Sequence, residues 1–230
     1  MGNAKTKEIA WYVKPNPVLL RKTEFQPYFV GGEKELTDAV IQQRAYDMII
    51  NEPSNVKHRL MYAIMAIRLK GDEKAVKQAL PELIKYVEDA KACDPKESKC
   101  FSLLGFLHEK TGNVEKAREI YLQGYNNVFA VGGRMLSIND IELIALFGAF
   151  SEMHGSSLPL PAGDVWKDCC LRAPDSPIAN GNYGLFLIRS NKSADGAARL
   201  LKAKQLEDDE DGFWAAQYEM HVTNGGKKKK

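Results

Sequence analysis

The amino-acid sequence predicts an all-α protein built from stacked helical hairpins, and three observations support this. Apolar-periodic segments alternate with short polar breaks at Gly71, Gly112, Gly155 and Asn191, a spacing of about 40 residues that is typical of helical repeats. Each break follows a helix that carries a small or apolar pair, and precedes a second helix with a small residue near its start. Proline and capping residues stand at the ends of the predicted units.

The small and large residues form a repeating pattern. Glycine costs about 1 kcal/mol in a helix interior, so its recurrence at matching places indicates close approach of a neighbouring helix. In the first helices the pairs are Ala63-Ile64, Leu104-Gly105, Phe147-Gly148 and Tyr183-Gly184. In the second helices Val76, Ala117, Ala162 and Gly196 are followed four residues later by Leu80, Tyr121, Trp166 and Leu200. Each unit is therefore predicted to be two antiparallel helices with complementary faces.

The predicted elements follow in order along the chain. Residues 1–33 combine prolines with large aromatic and aliphatic residues, which predicts an extended N-terminal arm. The repeat domain is predicted over residues 34–222 and a Lys-rich disordered tail over 223–230. Within the domain we expect a first helix at about 34–51, repeat units at 56–95, 98–131, 139–174 and 177–209, and a capping helix at 211–222.

Capping residues fix several of these boundaries. Ser176 followed by Pro177 predicts an N-cap with proline at the first helical position. Asn139 with Glu142 three residues later predicts a capping box at the start of the third unit.

The second unit resembles a tetratricopeptide repeat (TPR), a helical hairpin of about 34 residues. The matching residues are Phe101, Leu104-Gly105, Gly112-Asn113, Ala117, Tyr121 and Gly124. The unit departs from the family at His108, where an aromatic residue is usual, and at Phe129, where a closing proline is usual. In the flanking units only the small residues and the turn agree. The resemblance implies a superhelix whose concave groove, lined by the first helix of each pair, binds a protein or peptide partner.

The register of the repeats predicts which residues line this groove. They are Met61, Met65, Lys99, Ser102, Phe106, Ala145, Ala149, Gly181 and Leu185. Such a small, apolar and methionine-bearing face suits a hydrophobic or amphipathic segment. It excludes the Lys, Asn and Arg clamp with which related co-chaperones hold an acidic chain terminus, because apolar groups cannot compensate a buried carboxylate. An alternative is that the protein's own N-terminal arm fills the groove.

Composition and motifs exclude several other function classes. The chain has 32 basic and 30 acidic residues, a net charge of +2, so we expect no nucleic-acid partner. Its four histidines are isolated from candidate nucleophiles, and the four cysteines lack zinc-site spacing, so we expect no catalytic residues, metal or cofactor. The glycine-rich segment 131–134 lacks the features of a phosphate loop, and the acidic run 207–211 is interpreted as a solvated turn.

These observations predict a non-enzymatic cytoplasmic scaffold for protein–protein interaction, either a monomer or part of a complex. The alternative is a structural subunit of a larger assembly. Gly2, followed by Thr6 and Lys7, fits an N-myristoylation pattern. A single acyl chain binds membranes only weakly, and Lys227–Lys230 would supply a second, electrostatic signal at the cytoplasmic face of a membrane. The competing interpretation is a fortuitous glycine and a solubilising tail.

Overall fold

The computed structural model describes residues 26–28, 36–70, 73–130, 135–155, 160–207 and 212–223. Within these ranges the chain forms ten α-helices and no strand, so the predicted all-α helical-hairpin fold is confirmed. The arm residues 1–25 and 29–33, Gly2, segment 131–134, residues 208–211 and the tail from 224 onward lie outside the described residues. The described residues form two compact units, one ending at Ala130 and the other beginning at Met135.

The described part of the first unit contains a short 3-10 turn, Gln26–Tyr28, and five helices. The helices are α1 (Asp38–Asn51), α2 (Val56–Lys70), α3 (Glu73–Cys93), α4 (Ser98–Lys110) and α5 (Val114–Ala130). Each helix packs against the next one along the chain. This sequential packing is the behaviour expected of hairpin repeats, in which every element buries its apolar face against its neighbours.

The second unit contains the other five helices. They are α6 (Ile138–His154), α7 (Ala162–Arg172), α8 (Pro177–Arg189), α9 (Ser193–Leu206) and α10 (Phe213–Tyr218), and a π-helical turn, Glu219–Thr223, continues the last of them. Consecutive helices again pack together, and α6 also contacts α8. The unit thus consists of two hairpins followed by a short terminal helix.

Small residues bring the two helices of each pair close together. A Cβ atom on Gly148 of α6 would lie 2.6 Å from Cε2 of Trp166 in α7. A Cβ on Gly105 of α4 would likewise overlap the ring of Tyr121 in α5. The predicted pairing of glycine with a large residue is therefore confirmed in both hairpins.

Local capping residues determine where two helices of the second unit begin. The Ser176 hydroxyl accepts a hydrogen bond from the backbone N–H of Ala179, with Pro177 at the first helical position, as predicted. The predicted capping box at Asn139 and Glu142 was wrong. Ser137 and Asp140 form it instead, and α6 therefore starts at Ile138, because these two side chains satisfy each other's backbone N–H groups.

The short helix α10 covers the end of the last hairpin. Trp214 is almost fully buried and packs with Leu185, Leu200 and Ala203. The Glu207 carboxylate accepts hydrogen bonds from the backbone N–H groups of Trp214 and Ala215, at 2.7 and 3.0 Å. These bonds satisfy two of the unpaired N–H groups at the start of α10 and hold the helix in place.

Candidate partner-binding face

The nine residues predicted to line the groove have different surroundings in the structure. Phe106 is partly exposed, and the other eight are buried. The buried residues are Met61, Met65, Lys99, Ser102, Ala145, Ala149, Gly181 and Leu185. Of the nine residues, Phe106 alone is therefore accessible to a partner in this structure.

Four of the buried residues belong to the core of the second unit, which corrects their predicted placement. Ala145 and Ala149 form a cluster with the indole ring of Trp166. Gly181 and Leu185 lie against the indole ring of Trp214. Ala145, Ala149 and Gly181 must be small because a larger side chain would occupy the space that each indole ring fills.

The other four buried residues lie in the first unit on α2 and α4. On α4, residues 98–105 are all buried, and eight consecutive residues cover more than two turns, so every side of this stretch is covered. The Ser102 hydroxyl donates to the backbone carbonyl of Ser98 at 3.1 Å. The α4 surface therefore becomes accessible only beyond residue 105, at the C-terminal end of the helix.

The accessible end of α4 carries an aromatic ring, a carboxyl group and an ammonium group. We call Phe106, Glu109 and Lys110 the α4 end face. The Lys110 ammonium nitrogen lies 5.4 Å from the centre of the Phe106 ring, within cation–π range. The Tyr121 hydroxyl donates to Oε2 of Glu109 at 3.3 Å, while Oε1 is buried and has no hydrogen-bond partner among the described residues.

Burial changes the protonation of this carboxyl group. Desolvation raises the pKa of Glu109 to about 7, although the hydrogen bond from Tyr121 and the charge of Lys110 act in the opposite direction. The carboxyl group is therefore partly protonated at neutral pH. In the protonated form it can donate a hydrogen bond, and in the ionised form it can accept one or pair with a cation.

The described end of the N-terminal arm is fixed to the first two helices. The Tyr28 hydroxyl lies 3.0 Å from Nδ1 of His58 on α2, and the two rings meet edge to face. The Arg44 guanidinium on α1 donates to the backbone carbonyl of Tyr28 at 2.6 Å. The Tyr28 side chain is almost fully buried, so this part of the arm belongs to the core of the first unit.

Two further features are absent from the described residues. They contain no group of three or more His, Cys, Asp or Glu side chains placed to bind a metal ion. Across the same residues, no helix combines the length and the apolar content that a membrane span requires.

Known proteins that are similar to this chain include TPR proteins. The chain is 21% identical over 188 residues to a TPR repeat-containing protein of Dictyostelium discoideum, and the alignment covers 82% of this chain and 67% of that protein. The chain is similar to TPR proteins. It also resembles the solved structure of YrrB, described as a TPR protein with an unusual peptide-binding site, at 16% identity and a TM-score of 0.43 over 76% of this chain and 81% of the other. No protein-family model matches the chain.

Of the three residues of the α4 end face, Phe106 was predicted from the sequence, and its two polar neighbours were not. Glu109 and Lys110 lie three and four residues after Phe106, a spacing that places all three on one helix face. That spacing is readable from the sequence. The partial burial of Glu109 is not, because it depends on Tyr121 of the following helix.

Proposed function

We propose that this chain is a non-enzymatic scaffold that binds a hydrophobic or amphipathic segment of a partner protein at the α4 end face. The observation that carries the proposal is the exposure of Phe106 beside two polar groups, on a helix whose preceding eight residues are all buried. An apolar side chain of the partner would pack on the Phe106 ring. A polar group of the partner would pair with the exposed Lys110 ammonium.

The chemistry of the face supports one orientation of the bound segment. Glu109 Oε1 is buried without a hydrogen-bond partner among the described residues, and leaving such an atom unpaired costs about 1–3 kcal/mol. That atom is shielded from a docking partner, so the polar group that a partner can reach is the exposed Lys110 ammonium. The partner is therefore expected to place a carbonyl or carboxylate oxygen next to its apolar anchor.

The proposal is tested by affinity capture from the native source with matched variants of the full chain. Phe106→Glu places a charge on the apolar contact and should reduce the captured partner at least tenfold. Leu171→Glu changes an equally apolar side chain on α7 that is 69% exposed, and should leave capture unchanged. Equal capture by the wild type and Phe106→Glu, with both variants folded, would exclude the α4 end face.

Membrane attachment is a separate part of the proposal. Myristoylation of Gly2, assisted by Lys227–Lys230, would place the scaffold at the cytoplasmic face of a membrane. Intact-mass measurement of the protein from its native cell tests this directly. The mass of the unmodified chain would exclude acylation, without affecting the proposal for Phe106.

The second candidate function is that of a structural subunit of a larger assembly. The observation that favours it is the fixed position of Tyr28, which is bonded to Arg44 of α1 and lies against His58 of α2. Deletion of residues 1–25 leaves Tyr28 in place. For a structural subunit this deletion should abolish assembly, whereas for a scaffold acting through Phe106 it should not.

A further inference from the structure

Three tyrosines from successive helices form a continuous row on the first unit. Tyr46 of α1 lies 5.9 Å from Tyr62 of α2, and Tyr62 lies 4.6 Å from Tyr86 of α3, measured between ring centres. The rings are tilted by about 45° to one another rather than stacked flat. Tyr46 is 41% exposed, and the other two are partly exposed, so the row is open to solvent. We call these three residues the tyrosine ladder.

The tyrosine ladder is separate from the contacts that hold the 3-10 turn. Arg44, which binds the Tyr28 carbonyl, is two residues from Tyr46. Two residues correspond to about 200° around an α-helix, so the two side chains lie on opposite sides of α1. The ladder is also distinct from the α4 end face, which lies on another helix.

Acidic side chains flank one end of the ladder. Glu82 and Asp89 lie four residues before and three residues after Tyr86, so both share its face of α3. Asp89 lies 3.8 Å from Arg59 of α2, a long contact for an ion pair. Glu82 is exposed, so its carboxylate is accessible to a ligand. At the other end, Ile50 is 64% exposed one turn after Tyr46 and adds apolar surface.

We propose that the tyrosine ladder binds an extended, proline-rich segment of a partner protein that carries a basic residue beside its prolines. A polyproline II helix repeats every three residues, a rise of about 9 Å. The two centre-to-centre distances along the ladder, taken end to end, span a comparable length. The two outer rings, those of Tyr46 and Tyr86, therefore offer apolar contacts to prolines one turn apart.

The polar chemistry of the surface fits the same ligand. A polyproline II segment makes no internal hydrogen bonds, so its carbonyl groups are free to accept them from phenol hydroxyls. Phenols are protonated at neutral pH, and burial raises the pKa of Tyr62 further above its ordinary value. Glu82 would pair with the basic residue. Because the polyproline II conformation is already ordered in the free peptide, little conformational entropy is lost on binding.

The test is fluorescence anisotropy with the full chain and a labelled peptide of two arginines followed by ten prolines. We expect saturable binding at least ten times tighter than that of a matched peptide in which Gly and Ser replace the prolines. Tyr46→Ala and Tyr86→Ala should each weaken binding at least fivefold. Glu82→Lys should weaken it similarly, but should not weaken binding of a proline peptide without arginines.

Matched controls separate this surface from other effects. Tyr218→Ala on α10 removes a partly exposed tyrosine under Lys204, in the other unit, and should leave binding unchanged. Phe106→Glu should also have no effect, which keeps this test independent of the proposed function. Circular dichroism melting confirms that each variant is folded. The proposal is overturned if the full chain does not bind the proline peptide, whether because residues 1–25 cover the ladder or because no proline segment fits it. It is also overturned if the Gly/Ser peptide binds equally well, or if folded Tyr46→Ala binds the proline peptide as well as the wild type does.

Discussion

The backbones of α8 and α9 touch at Gly184 and Gly196. A Cβ atom on Gly196 would lie 2.7 Å from the carbonyl oxygen of Gly184, and a Cβ on Gly184 would lie 2.9 Å from the carbonyl oxygen of Gly196. No side-chain rotation can relieve either contact, because both oxygens belong to helical backbone. The hairpin therefore requires glycine at both positions despite the cost of glycine in a helix interior.

Replacing one of these glycines should destabilise the protein. Gly196→Ala gains about 1 kcal/mol of helix propensity but forces the two helices apart, and overpacking of a core typically costs about 1–3 kcal/mol. Because this contact is with backbone, we expect a cost in the upper part of that range, so that the free energy of unfolding falls by about 1–2 kcal/mol net. Urea denaturation measures the change.

A second glycine provides the control for this substitution. At Gly163 a Cβ would meet only the partly exposed ring of Phe186, at 3.2 Å, which can shift. Gly163→Ala should therefore change stability by less than about 1 kcal/mol. If Gly196→Ala proves as stable as the wild type, α8 and α9 do not approach as described.

The raised pKa of Glu109 predicts a pH-dependent stability. The folded protein retains a proton on this carboxyl up to about pH 7, whereas the unfolded chain releases it near its ordinary value of 4.5. The stabilisation from this proton is complete below pH 4.5 and is lost as the pH rises through 7, up to about 3 kcal/mol in total. In Glu109→Gln that loss is absent.

The measurement compares urea denaturation of wild type and Glu109→Gln at pH 4.5, 6 and 8. Relative to wild type, the variant should gain about 2–3 kcal/mol of stability between pH 4.5 and pH 8. Glu115→Gln, at an exposed carboxyl paired with Arg118, serves as the control and should gain less than about 1 kcal/mol. A constant difference between Glu109→Gln and wild type across this range would show that Glu109 is ionised in the folded protein.

The four cysteines should differ sharply in reactivity. Cys93 is exposed, whereas Cys100, Cys169 and Cys170 are buried, and all four are free thiols. Burial raises the pKa of Cys100 to about 12 and that of Cys170 to about 11, so neither forms the reactive thiolate at neutral pH. A thiol reagent should modify one cysteine rapidly in the native protein and all four in denaturant. Cys93→Ser should remove the rapid phase, and a rapid phase that survives this change would contradict the described burial.

Helix pairing could be predicted from the sequence because its cause is local. Gly105 and Gly148 recur at matching places in the repeats, and Tyr121 and Trp166 lie in the helices that follow them. Periodicity alone therefore reveals this pairing. The start of α6 could not be placed to the residue, since Ser137 and Asn139 are both suitable caps and the choice depends on which carboxylate completes the box.

The surroundings of the predicted groove could not be obtained from the sequence. Helical register predicts the direction of Leu185, but not that Trp214, 29 positions later along the chain, would cover it. The same limit applies to Tyr28 and His58, whose contact joins segments 30 residues apart. Burial by distant residues depends on how helices pack together, and a single helix period contains no information on that.

Site-specific photocrosslinking at residue 106 tests the central claim most directly. A photoreactive phenylalanine analogue replaces Phe106 in the full chain, and a control chain carries the analogue at Leu171. After irradiation in the native source, we expect a covalent adduct with a single partner protein from position 106 and none from position 171. A partner that still copurifies with the chain but crosslinks equally from both positions, or only from position 171, would contradict binding at the α4 end face.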